Sequence, residues 1–347
     1  MESPSAGDAN VLMDGFGRAI GDLRLSVTDR CNLRCAYCIP DETPVFQPRE
    51  ELLTFEELER VTSLFVAAGV RKVRLTGGEP LLRRDIAQLV RGIAAIAGVQ
   101  DLAMTTNGIF LERAIDALRA AGLQRFNISL DTLRPERFRL LTRRGGLEKV
   151  VDAIRTARDA GMGPVKVNIV PLRGFNDDEI VAFGRFACEE RVIVRFIEFM
   201  PLEAGDLWSR DLLVPGAEIR DTLDAWKSLV PLDPNHDAET AERFRFADGT
   251  GEIGIIAPVT RPFCGACNRA RITADGKLRT CLFSLHEIDL KTPLRAGRSS
   301  PLRGSRNASR VLHRPRGTLA RPRAAPFQPA RRDKRGIRRV GRRSAGG

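Results

Sequence analysis

Six short segments of this chain, residues 23–28, 72–76, 101–106, 125–130, 165–170 and 192–199, are rich in apolar residues, four of them alternating these with polar ones, and a helical pattern stands between most neighbouring pairs. One helix is expected to begin at Thr54, where Thr54 and Glu57 have the spacing of a capping box, and to stop at Gly69. Others are expected at 84–97, 112–121, 147–160 and 177–190. Strands joined by helical crossovers must run parallel, so the pattern predicts an α/β fold with the sheet wound as an open or partial barrel.

The alternation also says what the two faces of that sheet do. Leu23, Leu25 and Val27 interleave with Arg24, Ser26 and Thr28; Val73 and Leu75 with Arg74; Val165, Val167 and Ile169 with Lys166 and Asn168. Successive side chains point to opposite faces, and the helices must cover the apolar one. The polar sets then point into the barrel, where a packed interior would instead be Val, Ile and Leu. A bare solvent face is the alternative, but parallel sheets rarely leave one uncovered. A lumen holding Arg24, Arg74 and Lys166 suits a polyanionic small molecule.

No apolar run is long enough to span a membrane, and the first residues, MESPSAGDAN, lack the basic and apolar regions of a secretory leader. The expected setting is cytoplasmic and reducing, where clustered cysteines are metal ligands rather than disulfide halves. The net charge of +12 is unevenly placed: residues 291–347 carry 18 Lys and Arg against one acid, Asp333, leaving the first 290 residues at −5. That Arg/Pro-rich tail has too few apolar residues to offset its ordering entropy. A specific nucleic-acid function is therefore not expected.

The stretch CNLRCAYC places Cys31, Cys35 and Cys38 directly after the first strand, where barrel chemistry is sited. Three thiolates can hold zinc with water as fourth ligand, or three irons of a [4Fe–4S] cluster whose fourth iron stays open. A second triple, Cys264, Cys267 and Cys281, leaves the same choice and brackets Arg269 and Arg271, a guanidinium pair suited to phosphate oxygens. Cys188 reads as a small core hydrophobe. His236, His286 and His313 lack ligand spacing, and Asp29 suits a turn as well as chemistry.

The C-x3-C-x2-C spacing, with Tyr37 before the last cysteine and Gly77-Gly78-Glu79-Pro80 ending the second strand, resembles the radical S-adenosylmethionine enzymes. With NISLDT, VKVNIV, RFIEFMP and CGACNRARITADGKLRTCLF in order between residues 21 and about 290, the chain resembles the GTP 3′,8-cyclase family. The resemblance implies a partial (β/α)6 TIM-like barrel over residues 21–240 and a C-terminal auxiliary-cluster region over 241–297; residues 1–20 are expected to be a flexible segment and the Arg/Pro-rich residues 298–347 a disordered or frameshifted tail. It implies two [4Fe–4S] clusters, the first on Cys31, Cys35 and Cys38, the second on Cys264, Cys267 and Cys281. Tyr37, Gly78, Ser129 and Met200 would contact S-adenosylmethionine. Arg24, Arg74, Thr105, Lys166, Arg269, Ala270 and Arg271 would hold GTP, its base toward the second cluster.

The reaction so implied starts with hydrogen removal from C3′ of the ribose by a 5′-deoxyadenosyl radical, followed by closure of C3′ onto C8. It yields 3′,8-cyclo-7,8-dihydro-GTP, opening molybdenum cofactor biosynthesis. Expected partners are GTP, a flavodoxin or ferredoxin as electron donor and cyclic pyranopterin monophosphate synthase downstream; the resemblance allows a homodimer. Near residue 298 the text departs from the family's terminal region, so a cyclase impaired by its tail is a second expectation. A twin-cluster peptide modifier would want a groove instead of clustered cations, and a zinc and nucleic-acid module would use the basic tail.

Overall fold

The structure, a computed structural model, describes residues 11–297 apart from 15, 40, 42, 203–206 and 285. The readings of residues 1–10, of the tail 298–347 and of His313 lie outside the described residues. The first half of the fold alternates strands with helices, doubled only between β4 and β5: β1 (Asp22–Ser26), α1 (Phe55–Ala67), β2 (Lys72–Thr76), α2 (Ile86–Ala94), β3 (Asp101–Thr106), α3 (Ile115–Ala120), β4 (Arg125–Ser129), α4 (Pro135–Thr142), α5 (Leu147–Asp159), β5 (Lys166–Ile169), α6 (Ile180–Glu190) and β6 (Ile193–Ile197). The second half adds α7 (Gly216–Trp226), β7 (Leu229–Leu232), β8 (Glu242–Phe246), β9 (Glu252–Ile256), β10 (Arg269–Ile272), β11 (Lys277–Arg279), β12 (Ile288–Asp289) and α8 (Lys291–Arg295).

The expected capping box starts α1: Thr54 Oγ1 accepts from the Glu57 amide at 3.2 Å, and Glu57 Oε2 accepts from the Thr54 amide at 2.9 Å. The six expected strands are β1 to β6, each parallel to the next. Their apolar sets are sealed: Leu23, Leu25, Leu75, Phe126, Ile128, Val167, Val194 and Phe196 share one core with Leu58, Phe65, Leu89, Ile93, Ile154 and Phe183 of the covering helices. Exchanging any one of these for alanine would cost about 2–5 kcal/mol.

The sheet does not close on itself. Its order is β12-β11-β10-β1-β2-β3-β4-β5-β6-β9-β8-β7, so β10 lies outside β1 and β9 outside β6, both parallel to their neighbours. β7 and β8 pair antiparallel, from Leu229 with Phe246 to Leu232 with Arg243. α4, α7 and β7 to β12 have no counterpart in the sequence pattern. For α7 the cause is tertiary: the amide of its first residue, Gly216, donates to the buried carboxylate of Glu198 at 2.8 Å, a partner beyond β6 that no local window contains. Among the described residues no helix is long and apolar enough to cross a membrane.

Candidate active site

From β1 the chain passes through Thr28, Asp29 and Arg30 into Cys31, and β2 ends in the glycine pair that supports this passage. Gly77 has φ +135°, and a Cβ there would strike the Thr28 carbonyl; one on Gly78 would strike the carbonyls of Arg30 and Asp29. The two loops are stitched by Gly78 N–H to Thr28 O and Glu79 N–H to Arg30 O, both 2.8 Å. The Glu79 carboxylate, raised in pKa by burial, accepts from Thr106 Oγ1 at 2.8 Å and from the Asn107 amide at 2.7 Å. Asn107 Nδ2 in turn lies 3.8 Å from Cys31 Sγ. Asp29 accepts from the Gln47 amide at 2.6 Å through Oδ2, while its buried Oδ1 has no partner.

Tyr37 stands between Cys35 and Cys38 and donates its hydroxyl to Asp131 Oδ2 at 2.6 Å, its ring set edge-on to Phe199 at 6.2 Å. Asp131 follows β4 by two residues, and its other oxygen accepts from the Val170 amide at 2.8 Å. Burial brings the Asp131 carboxyl up to about 6, against the hydrogen bonds from Tyr37 and Val170. Ser129 closes β4 just before this contact, and Met200 follows β6 on the same side of the sheet.

The chemistry of the sulfurs fits polynuclear iron. Burial raises the Cys35 thiol most, followed by Asp131, Cys38 and Cys31; Cys38 is raised by burial, Cys31 and Asp131. Three thiols that oppose one another's ionisation need a shared positive centre to become thiolates together. No three His, Cys, Asp or Glu side chains among the described residues are grouped to hold a single metal ion. All seven cysteines are free. In the second triple, burial pushes the Cys267 thiol up, but Arg269, whose Nε is 3.3 Å from the sulfur, and Arg18 bring it below its ordinary value. Arg18 also donates to the Cys264 carbonyl.

Strand direction separates the two triples. Cys31, Cys35 and Cys38 follow β1, whereas Cys264 and Cys267 precede β10, the parallel neighbour of β1. Cys281 follows β11, which runs antiparallel to β10 and so ends on the same side. The thiol sets therefore lie at opposite ends of the lumen.

Between them is a layer of cations in strict register. Arg271 of β10 is level with Arg24 of β1, Arg24 with Arg74 of β2, Arg74 with Ala103 of β3, and Ala103 with Arg125 of β4. Lys166 and Arg195 continue the charge on β5 and β6, where Arg195 donates twice to Asn168 Oδ1, at 2.9 and 2.6 Å. Burial first, then mutual repulsion, depresses Arg74 well below its ordinary value, Lys166 to about 8, Arg195 to about 9 and Arg271 to about 10. Counter-charge is sparse: Asp22 binds Arg24 through Nε and Nη2, each at 3.1 Å, and is held below the carboxylate range by Arg24, Arg74 and Arg269 against its own burial. Arg74 Nε, Arg125 Nη1 and Asn127 Oδ1 are buried with no hydrogen-bond partner. Unpaired buried polar atoms are rare, and three in one lumen point to an absent polar ligand.

Of the residues singled out in the sequence, Arg24, Arg74, Lys166 and Arg271 meet in this layer, and Thr105 touches it through Asn127 Nδ2 at 3.5 Å. Arg269 lies beside Cys267. Ala270 faces the apolar core, so only its backbone is available to the lumen. Sequence reasoning passed over Arg125 and Arg195, although each stands on the polar face of a recognised strand; following the alternation through RFNISL and VIVRFIEF would have found them. Cys188 packs against the core, and His236 and His286 are exposed.

Comparison with known proteins meets this geometry. The model of the Radical SAM superfamily matches residues 25–187, and that of Molybdenum Cofactor Synthesis C matches residues 192–312, past the point near 298 where the sequence departs from the expected pattern. The chain is 47% identical over 294 residues to a protein named GTP 3′,8-cyclase from Rhodopirellula baltica, covering 84% of this chain and 82% of the relative. It is 47% identical over 289 residues to the one from Moorella thermoacetica, covering 82% and 88%, and 44% identical to the mitochondrial one of Arabidopsis thaliana, covering 83% and 74%. In fold it is similar to Streptococcus suis SuiB bound to S-adenosylmethionine, with TM-score 0.57 at 14% identity over 78% of this chain. There it spans 64% of SuiB, slightly under two thirds.

Proposed function

The chain belongs to the GTP 3′,8-cyclase family, and on that premise we propose how its residues divide the family's reaction, the cyclisation of GTP that opens molybdenum cofactor biosynthesis. The observation that carries the assignment is the cation layer with its unpaired buried donors, lying between two three-thiol sets. Cys31, Cys35 and Cys38 hold the first [4Fe–4S] cluster; Cys264, Cys267 and Cys281 hold the second. When bound, the first cluster and S-adenosylmethionine supply the electron and the hydrogen-abstracting radical.

The protein's own share is positioning. Tyr37, braced by Asp131, together with the Gly78 backbone, Ser129 and Met200, seats S-adenosylmethionine at the first thiol set. Arg24, Arg74, Thr105, Lys166, Arg269, Arg271 and the Ala270 backbone hold GTP, with its base on the β10–β11 side and its triphosphate across the lumen. Repulsion among the guanidinium groups and Lys166 is relieved when four phosphate charges enter, so the empty site is poised for a triphosphate. The helix-covered walls exclude water from C3′ while it reacts. A flavodoxin or ferredoxin serves as electron donor, cyclic pyranopterin monophosphate synthase takes the product, the chain pairs as a homodimer, and the enzyme works in the cytoplasm.

Anaerobic incubation with S-adenosylmethionine, dithionite and GTP deuterated at C3′ tests the assignment. It should give an isomer of GTP and deuterium in 5′-deoxyadenosine. Deuterium that stays on the nucleotide would sink the assignment.

Lys166 makes the binding step pH-dependent. It is charged below about 8 and neutral above, and only the charged form attracts phosphate. GTP affinity should therefore fall as pH rises from 7.5 to 9.5, by at most about tenfold per unit. Lys166→Arg should flatten the part of the profile below pH 9. Titration calorimetry showing the same slope in both proteins would remove Lys166 from the site.

A further inference from the structure

Arg125 opens β4, and no motif that led to the nucleotide site contains it. Its guanidinium is gripped by Asp101 through Nε to Oδ1 at 2.9 Å and Nη2 to Oδ2 at 2.6 Å. Arg24 is gripped by Asp22 through the same two nitrogens, so the two arginines are built alike on β1 and β4. The grip fixes the plane of the Arg125 fork and leaves Nη1 over, buried and without a partner. Arg125 stands one step beyond Ala103 in the register that carries Arg271, Arg24 and Arg74. Between Arg74 and Arg125 the register holds only the small side chain of Ala103. Its charge also reaches the rest of the site, acting against the ionisation of Arg24, Arg74, Lys166 and Arg195.

A preoriented, desolvated donor surrounded by cations has no partner among the side chains and is complementary to one more anionic oxygen. Its place in the sheet says which oxygen. β4 is separated from β10 by β1, β2 and β3, so it forms the wall across the lumen from the β10–β11 side. A nucleotide whose base lies on the β10–β11 side directs the end of its phosphate chain at that wall.

We propose that Arg125 is a specificity-determining residue that binds the terminal phosphate through Nη1 and so distinguishes a nucleoside triphosphate from a diphosphate. Asp101 is its positioning partner. The inference rests on the nucleotide-cyclase reading above and adds to it how the length of the phosphate chain is measured.

The test is equilibrium binding of GTP, GDP and GMP to anaerobically reconstituted protein without S-adenosylmethionine, for wild type, Arg125→Gln and Arg125→Lys. Wild type should bind GTP about tenfold or more tightly than GDP, the size of one charge-assisted contact. Arg125→Gln should lose most of that preference by weakening GTP while leaving GDP within about twofold. Arg125→Lys, which keeps the charge but not the fork, should retain part of it. The wild-type series stands even if Arg125→Gln fails to fold: equal affinity for GTP and GDP would overturn the inference on its own. So would an Arg125→Gln protein that weakens all three nucleotides by one common factor. Wild type that binds none of the three would overturn the cyclase reading itself, whereas tight GTP binding with no preference over GDP overturns only the role of Arg125.

Discussion

Replacing Cys31, Cys35 and Cys38 together by alanine is expected to halve the iron of the reconstituted protein, from about eight to about four per chain, and to abolish reductive cleavage of S-adenosylmethionine. The basis is the separation of the thiol sets along β1 and β10: removing the set at one end leaves Cys264, Cys267 and Cys281 and their strand pairing untouched. It also removes three thiols that oppose one another's ionisation, two half-buried and Cys38 exposed, so folding should not suffer from their loss. Iron analysis with electron paramagnetic resonance checks this. Full iron retention, or zinc on the second set after the same reconstitution, would remove the two-cluster assignment.

Arg271→Ala should weaken GTP binding by about tenfold to a hundredfold while dithionite-driven cleavage of S-adenosylmethionine continues. Arg271 is level with Arg24 in the lumen, whereas the first thiol set lies beyond the C-terminal end of β1. Burial, Arg24 and Arg269 push its own pKa down, outweighing Cys267 and Asp22, so the variant relieves repulsion and should melt no lower than wild type. Arg269→Ala should weaken GTP to a similar degree but also disturb the second cluster, because Arg269 Nε lies against Cys267 Sγ. Unchanged GTP affinity in both variants would take these arginines out of the site.

The parts of this protein that could be read in advance are those whose cause is local. Alternation within β1 to β6 follows from one face meeting helices and the other a polar lumen, so Leu23 and Arg24 announce both faces at once. The α1 capping box is likewise contained in four residues. What escaped has distant causes. α7 begins at a glycine whose amide is held by Glu198, and the same carboxylate accepts from the amides of Val259 and Thr260, both at 2.9 Å. β10 is four residues long, and its RARI text reads as a phosphate-binding pair until β1 is known to lie beside it. Arg125 was hidden differently: a strand's first residue belongs as readily to the loop before it, and its register with Ala103 fixes it in the lumen where the alternation alone only allows it.

The pairing of β1 with β10, and of β6 with β9, has a consequence for how the chain is made. On the ribosome β1 emerges early, yet its outer neighbour is among the last strands to appear, and β6 likewise waits for β9. Until then the nascent barrel presents two open parallel edges, each a template for another chain, around a lumen of like charges that no ligand yet balances. Contacts this far apart in sequence form slowly. Biogenesis of the enzyme is therefore set to depend on sheltering those edges until the final strands arrive, and a chain halted between β6 and β9 should be found with holding chaperones rather than free.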